Sequence, residues 1–268
     1  MENKTCKLCD QVKELKNSHV IGKSVFRELL KRSNTHYGLV TEPENKRIIR
    51  STDQWASMML CNDCENLLNS RYENYALWVL KNKQKGVKHK IHLQYLTIAP
   101  VNQYRLIMYV ISIIWRAAVS KHKVFRQVKF SKEITEYWKK CILGKVTLDH
   151  NLFSVKISKL IDSRNYYTED VIQGVITNLA PRSNGKNISY LMVFLGYCFE
   201  IKLGCEEINE LYEIGVLRKK KSILHIPYVD MLSIPEVFQS LKVTKEIAEK
   251  YPQTLNFFKL KILSQDKL

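Results

Sequence analysis

Cys6-Lys7-Leu8-Cys9 and Cys61-Asn62-Asp63-Cys64 are two Cys-x-x-Cys pairs, about fifty residues apart. Such a knuckle brings two thiolates onto one metal ion, and two knuckles supply the four sulfurs that tetrahedral zinc takes. A redox dithiol needs only one pair. The gap is longer than in a compact zinc ribbon, so the metal is expected to clamp an insertion rather than close a tight finger. Two unrelated knuckles are the alternative.

The pattern around the knuckles suggests a unit over 1–85. Leu15 to Val20 reads as a short strand. Ser24 to Arg32 has helical spacing, with Val25, Phe26, Leu29 and Leu30 on one face. The polar stretch 34–50, with Gly38 and Pro43, reads as a loop or loose hairpin. The second knuckle opens a helix whose apolar side carries Leu67, Leu68, Tyr72 and Tyr75, and Asp63 and Glu65 suit its first turn. Lys81 to Lys90 is basic and contains Gly86, which makes it the linker candidate.

A second unit is expected over 91–268. Ile91 to Ile98 is strand-like. Pro100 starts a helix through Ser120 that is apolar on most faces and therefore buried. Ser131 caps a further helix, which Gly144 stops. Phe153, Val155 and Ile157 alternate. Val171 to Leu179 and Ile188 to Leu203 are rich in β-branched and aromatic residues, with a turn at Pro181 to Asn187 between them. Pro235 to Leu241 and Thr244 to Lys250 read as two short helices. The expected class is α+β: an N-terminal metal-clamped unit, then mixed helices and an antiparallel sheet.

The 268 residues suffice for one large or two small domains. Lys and Arg number 43 against 26 Asp and Glu, a formal net charge of +17. So positive a surface attracts polyanions, nucleic acid first and an anionic membrane second; a merely Lys-rich composition is the bland alternative. The longest apolar run, Leu106 to Trp115, is too short to span a bilayer. Cys141, Cys198 and Cys205 show no pairing rhythm and read as reduced core thiols, which points to a cytoplasmic protein. Basic residues cluster at 81–90, 121–132 and 218–221. Lys121, Lys123, Arg126 and Lys129 are candidate phosphate contacts, and the interleaved Phe125 and Phe130 could stack on single-stranded bases. Arg218 to Lys221 reads better as a hairpin turn. The remaining histidines, His36, His89, His92, His122, His150 and His225, show no metal spacing. There is no G-x-x-x-x-G-K phosphate loop.

The order Cys-x-x-Cys, then Ser18-His19-Val20-Ile21, then Leu60-Cys61-x-x-Cys64-Glu65 resembles zinc-stabilised HNH nucleases. The resemblance covers roughly the first seventy residues. It implies a ββα-metal unit, with Cys6, Cys9, Cys61 and Cys64 on structural Zn²⁺ and His19 as general base. It also implies Glu65 as ligand of a catalytic Mg²⁺ or Mn²⁺. An imidazole titrates near neutrality and can take a proton from water. A hard cation prefers oxygen ligands and polarises a scissile phosphate. Glu73 would complete the carboxylate site or pair with Arg27 or Arg71, and Arg27 would contact a phosphate. Three positions differ. HNH helices mostly carry His where Glu65 stands, only Gln54 lies near the place of the family's middle asparagine, and Gly22 replaces a frequent proline.

A wider similarity, to bacterial HNH-like proteins of about this length, adds Tyr72-Glu73, Ile113 to Ala117 and Phe125 to Val128. This wider similarity implies one conjoined architecture. The resemblance to HNH nucleases implies a DNA endonuclease, with RNA less favoured, and an antiphage effector working beside an ATPase or sensor partner, away from membranes. A non-catalytic zinc module that binds nucleic acid or a protein is the alternative. In that case His19 is a buried or zinc-binding histidine and Glu65 a helix-start carboxylate.

Overall fold

Short strands form around the first knuckle because the Cys6–Cys9 turn reverses the chain. In the computed structural model, residues 4–33, 38–42, 45, 47–149, 152–184, 187–204 and 213–250 are described. Strand β1 (Lys4–Thr5) pairs with β2 (Val12–Lys13) across that turn. β3 (Leu15–His19) follows, then helix α1 (Lys23–Ser33). The polar stretch expected as a loop or loose hairpin contains the antiparallel pair β4 (Gly38–Glu42) and β5 (Arg47–Ser51). β6 (Ala56–Cys61) then returns antiparallel to β3, with Leu15 opposite Cys61 and His19 opposite Ala56.

Helix α2 (Asn62–Leu68) runs without a break through a π turn (Asn69–Glu73) into α3 (Asn74–Leu80). A π turn inserts one extra residue and leaves carbonyls without helical partners. Arg105 donates to two carbonyls of the turn: its Nε to Arg71 at 2.8 Å and its Nη2 to Ser70 at 3.2 Å. The same guanidinium lies 4.2 Å over the Tyr75 ring.

Seven strands form one mixed sheet in the order β10-β11-β12-β9-β13-β8-β7. They are β7 (Lys88–Ile91), β8 (Tyr95–Ala99), β9 (Phe153–Ile161), β10 (Ala180–Asn184), β11 (Asn187–Phe194), β12 (Tyr197–Leu203) and β13 (Leu224–Asp230). All neighbours are antiparallel except β9 and β13. On one face lie α4 (Gln103–Val119) and α5 (Lys132–Ile142). Asn102 caps α4 through the Arg105 N–H, Ser131 caps α5 through the Ile134 N–H, and Gly144 ends α5 with a left-handed φ of 76°. On the other face lie α6 (Glu169–Gly174) and α7 (Pro235–Lys250), over a smaller core that includes Leu160, Val193 and Cys198. The main buried cluster runs from Cys6 to Ile226 and takes in Trp115, Trp138 and Phe199, so residues of 1–85 and of 91–268 pack together.

Four expectations change. Residues 171–179 do not make a strand: Glu169 and Asp170 start α6 there, and carboxylates in a first turn favour a helix. Pro181 stands not in a turn but in β10 at the sheet's edge, where its missing N–H costs no ladder bond. The 235–250 stretch is one helix, not two. β7 begins at Lys88, so the end of the expected linker belongs to the sheet. Cys141 and Cys198 are free, buried thiols. Cys205, His36, His150, Pro43 and the end of the chain from 251 lie outside the described residues. Among the described residues no helix is long and apolar enough to cross a membrane.

Candidate active site

The β3–β6 pair carries both knuckles to one place. β6 ends at Cys61 opposite Leu15, and the β1–β2 turn folds over it through the Lys7 N–H to the Met59 carbonyl at 3.0 Å. The sulfurs of Cys6, Cys9, Cys61 and Cys64 consequently all lie within 4.8 Å of one another, with Cys9 and Cys61 at 3.9 Å. Tetrahedral sites with Zn–S bonds of ~2.3 Å need sulfurs about 3.8 Å apart, so the set could hold a metal such as zinc. The Cys61 N–H points at the Cys6 sulfur from 3.3 Å. Burial raises the Cys6 thiol, but the backbone N–H groups of Cys9, Cys61 and Leu8 outweigh it and bring it down to about 7. Burial and the Cys61 side chain push Cys64 well up. Four thiols in so small a volume shed their protons together only onto a cation. Asp10, beside the knuckle with φ 62°, accepts from the buried Lys139 of α5 at 2.6 and 2.7 Å.

Next to this centre is a cleft of about 880 Å³. His19, Arg27, Glu65 and Glu73 all line it, joined by Gly22, Ser24 and Arg116. His19 ends β3, and its imidazole is half-buried. Burial lowers its pKa, while a hydrogen bond to the Gln54 side chain and the Glu65 carboxylate work in the opposite direction. The net shift is downward from 6.5, so the ring is neutral at pH 7 and able to accept a proton.

Gln54 owes its position to a strained loop. Trp55 holds a left-handed φ of 54°, unfavourable for a bulky residue. Its N–H donates to Asp53 Oδ1 at 2.8 Å, and its ring meets Phe26 and Phe125 edge-on at 5.3 and 5.9 Å. Asp53 Oδ2 is in turn 2.8 Å from His122 Nε2.

Glu65 and Glu73 are eight residues apart. On a plain α-helix, at about 100° per residue, that separation turns the second side chain about 80° away from the first. The π turn absorbs one residue and realigns them. Glu65 Oε1 is buried and has no hydrogen-bond partner. Glu73 is 6% exposed; its Oε1 accepts from Ser24 at 3.0 Å and its Oε2 faces Arg116 Nη2 at 3.7 Å. Its cation is therefore Arg116 rather than Arg27 or Arg71. Arg116 is 1% exposed and also donates to the His19 carbonyl at 2.8 Å. Arg116 and Ser24 are neighbours of the candidate site to which the sequence assigned no role, and Gln54 was noted only near the place of the family's middle asparagine. An arginine directly after the apolar run, within a helix expected to be buried, was the available signal, because a buried guanidinium needs a carboxylate.

Gly22 is explained by the same carboxylate. A Cβ there would stand 1.9 Å from Glu73 Oε1. Gly22→Ala is expected to displace Glu73 and to destabilise the protein by about 1–3 kcal/mol. Urea denaturation measures it, and a variant as stable as the parent would refute the close packing.

The basic segment 121–129 exposes Lys121, Lys123, Arg126 and Lys129 outside the cleft lining. Phe125 is buried and Phe130 packs against Trp138 and Tyr190, so neither is free to stack on a base. Comparison with known protein families, with curated proteins and with solved structures finds no match.

Proposed function

We propose that the chain is a metal-dependent endonuclease of the HNH type that hydrolyses DNA phosphodiesters, with structural zinc on its four clustered cysteines. The observation that carries this reading is the meeting of a neutral imidazole and an unpartnered buried carboxylate oxygen in one cleft. His19 takes a proton from the attacking water, and Gln54 holds the ring in orientation. Glu65, with Glu73 behind it, would hold Mg²⁺ or Mn²⁺, which when bound supplies positive charge to the phosphate and the leaving oxygen. Arg27, exposed on the cleft wall, would contact the phosphate strand. The segment 121–129 adds salt-sensitive backbone contacts. In a cell the chain would serve as a cytoplasmic effector of antiphage defence, beside a sensor or ATPase partner.

His19→Ala is expected to lower plasmid cleavage by a factor of about 10²–10⁴ in the presence of Mg²⁺ or Mn²⁺, while leaving DNA affinity as it was. Cleavage by parent and variant alike would remove His19 from the chemistry. DNA binding without cleavage by either, with the partner supplied, would favour the non-catalytic zinc module.

A further inference from the structure

The sheet carries a second candidate surface, none of whose residues lines the cleft. In β8 and β13 one face is buried in the main core through Leu96, Ile98, Leu224 and Ile226. On the opposite face Lys90, Thr97 and His225 form one cross-strand row; Tyr95 stands opposite Pro227 and Lys88 opposite Ala99. The smaller core that covers this side of β9, β11 and β12 takes no residue from β7 or β8. Lys88, Lys90 and His225 are exposed, and at the adjoining hairpin Ile91 and Leu93 are 80% and 95% exposed.

Rings gather on this face. Tyr95 stacks with His92 at 4.5 Å and 28°, and meets His225 edge-on at 5.2 Å. Thr97 Oγ1 holds His225 Nδ1 at 3.0 Å. The sequence that carries these strands is basic. From residue 74 to 132 the chain has no Asp or Glu but twelve Lys and Arg, and residues 214–229 also lack acids. The turn Lys219–Lys221 borders a hollow of about 310 Å³ with Pro100 and Asn102, just past the end of β8.

We propose that this open sheet face binds single-stranded nucleic acid, with phosphates on Lys88, Lys90 and the Lys219–Lys221 turn and bases against Tyr95 and its neighbouring imidazoles. Cationic side chains neutralise phosphates at any sequence. A π surface engages bases only when they are unstacked from a partner strand, as in a single strand. A duplex keeps its base faces covered, so the ring cluster adds nothing to duplex binding. The inference goes beyond the nuclease reading and does not require the cleft to cut.

The test is fluorescence anisotropy of the full chain with labelled dT20, the dT20·dA20 duplex, and phosphatidylglycerol vesicles, without added divalent ions. Tyr95→Ala is expected to weaken dT20 binding about tenfold, the size of one lost base stack, with the salt slope unchanged. Tyr95→Phe should bind as the parent does. Lys88→Gln with Lys90→Gln should instead flatten the salt dependence by about 0.7 per lysine. The assay reads binding without divalent ions and without cleavage, so a failed nuclease reading leaves this result untouched. The proposal falls if Tyr95→Ala binds dT20 like the parent, or if the duplex loses as much affinity as dT20. It falls equally if vesicle binding alone follows these variants.

Discussion

Replacing Cys61 and Cys64 together with serine is expected to strip the metal and to melt the first ~85 residues well below the parent's transition. A structural zinc contributes on the order of 10 kcal/mol, comparable with the whole stability of a typical domain. The geometry says where the loss falls. Little besides the four sulfurs ties the β1–β2 hairpin to β6 and α2: the Lys7–Met59 backbone bond, the buried Leu8 and the exposed Lys13–Asp63 pair at 2.8 Å. Lys139 secures the knuckle from the other side through Asp10, but that pair persists only while the turn keeps its shape. Without the metal, β6 loses the weight that holds its Cys61 end against Leu15, and the strand that presents His19 loses its partner. Elemental analysis should find one zinc per parent chain and none in the variant, and calorimetry should show an early first transition. A parent purified without metal, or a variant with unchanged melting, would sink the clamp.

What the sequence made legible, and what it hid, follows from how local each signal is. The knuckles were readable because a metal site needs only residue type and spacing, and the four cysteines do converge. Helices α1 and α5 were readable because an amphipathic stripe and a Ser131 cap are local features. The expected strand ending near His19 and the helix after Cys61 are both present. The misses are long-range. Residues 171–179 carry β-branched side chains that fit a strand, yet acidic residues at 169 and 170 and a covering position on the sheet make the first half helical. Nothing local in Asn69 to Glu73 announces a π turn; two of its carbonyls accept from Arg105, over thirty residues away in sequence. Gly22 looked like a simple departure from proline until Glu73 was found against its Cα. The full ring cluster was hidden for the same reason: His225 joins the local His92–Tyr95 stack only once β13 pairs with β8.

Arg116→Met should be the most damaging single change away from the knuckles. Its guanidinium is buried in α4, donates to the Ser112 and His19 carbonyls, and faces the buried Glu73 carboxylate. Removing it leaves Glu73 without its cation in a poorly hydrated place, for which about 3–5 kcal/mol is the usual cost. A variant in which both members are neutral, Arg116→Met with Glu73→Gln, should recover a large part of that loss, because the unpaired buried charge is then gone. The two changes thereby separate charge from packing: a double variant no more stable than Arg116→Met would mean the damage comes from the lost carbonyl donors. The pair also has a place in the proposed chemistry. Arg116 reaches across from α4 to fix the backbone of His19, while Glu73 presses on Gly22 three residues further along. In the stability-restored double variant the Glu73 carboxylate and the His19 anchor are both absent, so cleavage should remain impaired even where folding has recovered. Urea denaturation beside plasmid cleavage reads both quantities on the same preparations. Full cleavage by the double variant would reduce Arg116 and Glu73 to structural supports and leave Glu65 alone to hold the cation.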